Sequence, residues 1–175
     1  GLIQLPALLL VPGISPVQAL ATNKMGSVFG TATSAVTYAR RVHPDLKTAL
    51  PMAGAAALAA VGGAAVATVL PAALFKPIIV AALIVVLTFT LTKRQAGLAT
   101  ALRFAGGKHY GTAVAIGAGI GFYDGLIGPG TGSFLVIALV SVLGYSFLDG
   151  SAKAKIVNLA TNIGALALFA PTGYV

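Results

Sequence analysis

The chain alternates long apolar runs with short polar interruptions, and the runs predict the elements. A helix that crosses a bilayer needs about 20 mostly apolar residues. Residues 2–11 are apolar but too short to span, and Pro12-Gly13 breaks them. They read as the end of a helix or as a re-entrant piece. Pro16 stands at a good helix start, and 17–39 predicts the first full span. That span is unusually polar, with Gln18, Thr22, Asn23, Lys24, Ser27, Thr31, Thr33, Ser34 and Thr37 inside it. Residues 40–47 predict a charged loop. A second span follows at 48–70, almost wholly Ala, Gly, Val and Leu. Pro71 and Pro77 bracket a short connection carrying Lys76, and 78–91 with part of the preceding segment predicts a third span. After a basic stretch at 93–109, residues 110–127 are apolar and glycine-rich. Gly128-Pro129-Gly130-Thr131-Gly132 is incompatible with regular helix. A short apolar piece at 133–143 precedes the last long span, 147–170, which holds Asp149, Lys153, Lys155, Asn158, Thr161 and Asn162.

Composition turns these runs into a fold class. Of 175 residues, 58% are hydrophobic and 8% charged, against roughly 25% charged in soluble domains. So much apolar surface needs lipid, or other helices in lipid, around it. The expectation is an all-α, polytopic integral membrane bundle with glycine-broken helices. The lipid bilayer is its first partner. There is no cysteine, which removes disulfides, thiolate metal sites and cysteine nucleophiles. The acids are Asp45, Asp124 and Asp149 alone.

The net charge of +8 clusters between apolar runs without aromatic interleaving, so no nucleic-acid partner is expected. The loops at 40–47 and 93–109 are both basic and lie two spans apart, hence on one side. The positive-inside bias assigns them to the cytoplasm of a multi-pass inner-membrane protein. The chain is expected to be a fragment of a longer transporter domain. Residues 1–92 would supply most of a first half, 93–109 a basic linker, and 110–175 the start of a second half.

Two related halves are suggested by an internal match. Residues 1–24 align without gaps on 132–155, pairing Gly13 with Gly144, Ser15 with Ser146 and Lys24 with Lys155. A rival register pairs 20–23 with the identical 159–162 and needs an insertion. Both put a broken apolar piece, a glycine turn and a polar-lined span in each half, the sequence pointer to a transporter binding site. An even number of crossings in 110–143 would make the halves inverted, and an odd number parallel. Its length, about 50 Å as helix, favours an extra re-entrant leg and inversion.

The candidate chemistry gathers at the interruptions. Gly130, Thr131, Gly132 and Ser133 precede an apolar helix, so Thr131 or Ser133 is expected to cap it, with the positive helix end facing an anion. The plain alternative is a packing kink. Asp124, inside an apolar run, is either a proton relay or a structural partner of a lysine. Lys24 and Lys155 suit an anionic solute unless they snorkel to the interface, and Lys153 is the better snorkelling candidate. Asn23, Asn158 and Asn162, with Thr22, Gln4 and Thr161 behind them, serve either a ligand or helix–helix hydrogen bonds. The Ala53–Ala67 run predicts close helix packing. His43 and His109 fall in loops with no ligand cluster or catalytic spacing, so neither a metal nor an enzyme site is expected.

Gly121-Phe122-Tyr123-Asp124-Gly125-Leu126-Ile127-Gly128-Pro129-Gly130-Thr131-Gly132-Ser133-Phe134-Leu135 resembles the second-half signature of the sulfite exporter TauE/SafE family. Ala21-Thr22-Asn23-Lys24-Met25 with Phe29-Gly30-Thr31 resembles the first-half one, and Lys155 through Asn158 to Asn162 also fits. The resemblance implies an inner-membrane permease of about eight spans in two related halves. It also implies a small, sulfur-containing anionic solute. No cofactor is implied, and a coupling H⁺ or Na⁺ is left open, as is the oligomeric state. The rival readings are a non-transporting assembly or anchor subunit, a channel and a membrane-embedded enzyme.

Overall fold

The computed structural model describes residues 3–92 and 99–174. Those residues form helices and no strand: α1 (Gln4–Leu8), α2 (Pro16–Val42), α3 (Leu46–Val69), α4 (Ala72–Thr92), α5 (Gly106–Leu126), α6 (Thr131–Ala138) and α7 (Phe147–Phe169). A π-helical turn, Leu139–Leu143, prolongs α6.

Local chemistry sets most boundaries. Ser15 and Gln18 form a reciprocal capping box ahead of Pro16, at 3.2 and 3.0 Å, which satisfies two orphan N–H groups at the start of α2. Ser146 caps α7 by accepting from the Asp149 amide at 3.1 Å, while its own amide donates to Thr100 Oγ1 at 2.9 Å. Asp45 caps α3 by accepting from the Lys47 amide at 3.0 Å.

Two expected connections are shorter in the structure. Arg40 and Arg41 belong to the last turn of α2, where cations favour the negative helix end. The α2–α3 link is therefore only residues 43–45. The expected connection between Pro71 and Pro77 is likewise helix: Pro77 lies inside α4, where it costs one backbone hydrogen bond. Lys93 and Arg94, expected in the second basic stretch, lie outside the described residues.

Glycines fix how the helices run. A Cβ at Gly121 would collide with Ala56 O and one at Gly125 with Ala60 O, while at Gly117 it would sit 2.6 Å from Met52 O. So α3 and α5 run parallel, backbone against backbone, as small-residue stripes permit in membranes. The Ala53–Ala67 run is this interface, joined from α7 by Gly164 against Ala57. At 24 residues, α3 is about 36 Å long. Among the described residues it is the one helix both long and apolar enough to cross a membrane on its own composition. The longer α2 and the comparable α7 carry the polar side chains that line the site.

After the Gly128–Gly130 break the chain turns back. The Ala101 amide donates to Gly144 O at 2.7 Å and that of Arg103 to Leu143 O at 3.1 Å. The far end of the π turn therefore returns to the level where α5 starts. Residues 106–143 form an out-and-back hairpin with no net crossing, the even alternative above. The α2–α3 link and residues 99–105 before α5 sit at one end of the bundle, here the basic end.

Two apolar clusters divide the core. Leu5, Leu20, Ala64, Ala67, Phe75, Ile79 and Phe169 pack toward the opposite end. Met52, Ala56, Ala113, Leu135, Leu139, Leu143 and Val157 pack toward the basic end. Thus α1 and α2 contribute to one cluster, and α6 and the start of α7 to the other. The α1–α2 hairpin and the α6–α7 hairpin run in opposite senses. Gly13 and Gly144 turn them at φ +85° and +84°.

Candidate functional site

Between α2, α6 and α7 lies a cavity of about 1100 Å³, with Asp124 of α5 in its wall. Helical spacing builds two of its sides. From α2 come Asn23, Lys24, Ser27, Thr31, Ser34 and Tyr38; from α7 come Ser151, Lys155, Asn158 and Asn162. Both sets recur at three or four residues, so each is one polar stripe on one helix face. The third side is the broken backbone, Gly128 and Gly130 through Ser133. The cavity reaches from that break to Tyr38 and Phe147 near the basic end.

At the deep end Lys24 Nζ and Asp124 Oδ2 form an ion pair at 2.5 Å, with the side chains 1% and 2% exposed. The Thr131 hydroxyl reaches the other carboxylate oxygen at 2.5 Å and Gly128 O at 2.8 Å. Gly128 has φ +87°, and a Cβ there would lie 3.0 Å from Lys24 Nζ. Only glycine fits both the left-handed backbone and the close approach. The Tyr123 hydroxyl braces the turn from outside by donating to Pro129 O at 2.5 Å.

The break is capped differently from the sequence expectation. Gly130, at φ +81°, is the residue preceding α6, and no side chain caps the helix. Thr131 is the first residue inside α6 and stands past the capping position; its hydroxyl donates to the Asp124 carboxylate instead. Of the first-turn amides of α6, that of Thr131 donates to Gly128 O at 3.4 Å, while those of Gly132 and Ser133 lack intrahelical acceptors beside the cavity.

Lys155 lines the same cavity and has no ion-pair partner among the described residues. With Lys24 neutralised by Asp124, the wall carries one uncompensated positive charge. In a low-dielectric surrounding such a charge attracts an anion strongly. Asn162 Nδ2 donates weakly to Asn158 Oδ1 at 3.4 Å, and Asn23 Oδ1 is buried without a hydrogen-bond partner among the described residues.

The structure therefore brings together Asn23, Lys24, Asp124, Gly130, Thr131, Gly132, Ser133, Lys155, Asn158 and Asn162, with Gln4 beside them. It does not bring Thr22, which is exposed away from the cavity. Thr161 is fully buried and bonds Asn158 O at 2.9 Å, within its own helix. The residues missing from the expected set are Ser27, Thr31, Ser34, Tyr38 and Ser151; their signal was the spacing from Asn23 and from Lys155.

Two further side chains differ from expectation. Lys153 does not snorkel; it is 1% exposed, with Nζ 4.1 Å from the Tyr145 ring centroid, a cation–π contact inside the protein. His109 is not in a loop but buried in α5. Its Nε2 lies 2.8 Å from the Tyr145 hydroxyl and 3.3 Å from Thr48 Oγ1, and Thr48 donates to Asp45 at 2.6 Å. Burial pushes the Asp45 carboxyl up, but the hydrogen bonds from Thr48 and the Lys47 amide outweigh it and hold it below the usual carboxylate range. This network ties α3, α5 and the start of α7 together at the basic end.

Comparison with known proteins fits this architecture. The chain is 39% identical over 170 residues to the probable membrane transporter protein ORF9 of Sinorhizobium sp., covering 97% of this chain and 64% of that one. It is 32% identical over 171 residues to the probable membrane transporter protein YfcA of Escherichia coli strain K12, covering 97% and 62%. A probable membrane transporter protein of Haemophilus influenzae is 29% identical over 169 residues, covering 97% and 65%. The chain thus spans slightly under two thirds of the length of these relatives. No solved structure matches it. The family described as sulfite exporter TauE/SafE matches residues 1–175, and this chain, a helical membrane protein, belongs to that family.

Proposed function

We propose that the protein is a secondary transporter that moves a small sulfur-containing anion, of the sulfite or organosulfonate class, across the inner membrane. The observation that carries this reading is the cavity at the helix break. There two polar helix faces, a glycine-rich backbone turn and one uncompensated lysine converge inside an otherwise apolar bundle. Such convergence of discontinuous helices is how transporters hold a solute at membrane depth. The family description supplies the sulfur-anion class, and the relatives are named membrane transporters.

Lys155, Asn158, Asn162, Asn23 and the amides at Gly130–Ser133 hold the anion. The hairpins α1–α2 and α6–α7 are inverted copies in the ungapped register. The matched turns at Gly13 and Gly144 and the matched caps at Ser15 and Ser146 support this pairing. Alternating access comes from one half rocking against the other. The basic end faces the cytoplasm, and the protein is multi-pass and not an enzyme.

The test is counterflow of labelled sulfite in proteoliposomes holding the full-length parent protein, with sulfonates and unrelated anions as competitors. Saturable exchange, inhibited by sulfur anions and not by the others, is the expected result. A folded protein giving no exchange above empty liposomes with any sulfur anion overturns the substrate class. Flux without saturation or counterflow identifies a channel instead.

A further inference from the structure

The buried ion pair sets a problem for an anion carrier. Lys24 stands at the broken backbone, but Asp124 already holds it. An anion arriving there meets an occupied cation and a repelling carboxylate in a poorly screened place. Both groups line the cavity, so the pair is part of the path.

We infer that Asp124 is the proton-coupling carboxylate of this site: it takes up one proton as the anion binds, and Lys24 passes from Asp124 to the anion. The inference rests on the transporter reading above. It deepens that reading by naming H⁺ as the coupling ion.

The groups facing Asp124 agree with a single exchangeable proton. From α2 there is Lys24, and from α7, lining the same cavity, Lys155. Thr131 of α6 is uncharged, and α3 presents the Ala60 and Gly63 backbone to this part of α5. On α5 itself the neighbouring Tyr123 is engaged with Pro129 O. A sodium ion would need several oxygen ligands, and here the Lys24 ammonium occupies the carboxylate.

Thr131 gives the new proton an acceptor. Its hydroxyl oxygen is within hydrogen-bond distance of both Asp124 Oδ1, at 2.5 Å, and Gly128 O, at 2.8 Å. While Asp124 is ionised, the hydroxyl donates to it. Once Asp124 is protonated, the hydroxyl rotates to donate to Gly128 O and accepts from the carboxylic acid. No bond of the cargo forms or breaks. The proton goes from water to Asp124, leaves with the anion on the far side, and Lys24 returns to the carboxylate. A monoanion and its proton move together without net charge.

The experiment uses the full-length parent in proteoliposomes, read as counterflow of labelled sulfite at equal pH and as accumulation of a labelled organosulfonate into an alkaline interior. Wild type should show both, and a protonophore should abolish the accumulation. Asp124→Asn imitates a permanently protonated carboxyl. It should exchange more slowly, with a flatter pH profile, and lose accumulation altogether. Asp124→Glu should restore accumulation with a displaced pH profile. Sulfite titrates itself and is trapped in an alkaline interior by any carrier of its monoanion, so the accumulation arm uses the organosulfonate, which stays a monoanion throughout the pH range.

Accumulation by Asp124→Asn equal to wild type overturns the inference. So does a wild type that exchanges but ignores the pH gradient. If Asp124→Asn does not reach the membrane, a pH profile of Asp124→Glu that coincides with wild type overturns it too. Absence of any exchange by wild type is a different result, since it removes the transporter reading itself.

Discussion

Lys24 and Lys155 occupy matched positions of the internal alignment, yet their surroundings give them different tasks. Lys24 is sealed against Asp124, whereas Lys155 is half-buried on the cavity wall without such a partner. Lys155→Ala in the full-length protein should therefore lower sulfite exchange by roughly tenfold or more, equivalent to about 1.4 kcal/mol of binding, at unchanged membrane yield. Normal exchange with normal yield would remove Lys155 from the site. The turn glycines offer a second comparison. Both have φ near +85°, so alanine strains either by about 1–2 kcal/mol. Around Gly13 there is open space, but at Gly144 a Cβ would strike Ala101 O. Gly144→Ala should thus lower the thermal midpoint clearly more than Gly13→Ala. Equal effects would mean that strain alone matters. The identities of Asn23, Lys24, Asp124, Lys155 and Asn158 as candidates were legible in the sequence because polar groups are costly in an apolar run. That Asp124 belongs to Lys24, and Thr131 to Asp124 and not to its own helix, was not legible. Those choices depend on which helices meet at the break.

The helices themselves owe their ends to local chemistry and their packing to absence of side chains. Pro16 marked a helix start that the structure keeps, with Ser15 as its cap. Pro77 did not mark a stop, because a helix in an apolar surrounding gives up one hydrogen bond more readily than it exposes a turn of backbone. The α3–α5 seam is the element most sensitive to volume. Gly125→Ala should push the two backbones apart and cost about 1–3 kcal/mol, read as a lower midpoint in detergent. Gly119→Ala, on the open side of α5 with nothing within 4 Å, should be neutral or stabilise by up to about 1 kcal/mol. A tolerant Gly125 would show that α3 and α5 do not pack as closely as the structure places them. The glycines could be counted in the sequence, but only the parallel register of α3 against α5 separates Gly117, Gly121 and Gly125 from Gly119.

The whole molecule is organised by direction. Two hairpins of opposite sense put one apolar cluster at each end, and the cavity extends from the break between them toward the basic end. That geometry predicts a side of access. The chain has no cysteine, so Ser34→Cys or Ser151→Cys in a cysteine-free full-length parent reports on the cavity alone. A membrane-impermeant maleimide should label either position from the cytoplasmic side, and sulfite should slow the labelling. Labelling only from the opposite side would reverse the orientation taken from the basic connections. Labelling indifferent to sulfite would separate the cavity from the solute path.

By itself, the sequence determined the class of environment, the rough positions of the long helices and the two interruptions. Each of these follows from local composition: apolar length, proline, glycine and capping residues act within a turn or two of where they stand. It also bounded the site, since few polar residues lie inside the apolar runs. The tertiary structure alone decided that 106–143 turns back without crossing, because the return rests on hydrogen bonds from Ala101 and Arg103 to residues some forty positions away. It decided as well that Lys153 lies on the Tyr145 ring and that His109 is buried. It made one ion pair of Lys24 and Asp124, a hundred residues apart in the chain. Pairings between distant segments leave no periodicity in either segment, so only the packed helices reveal them.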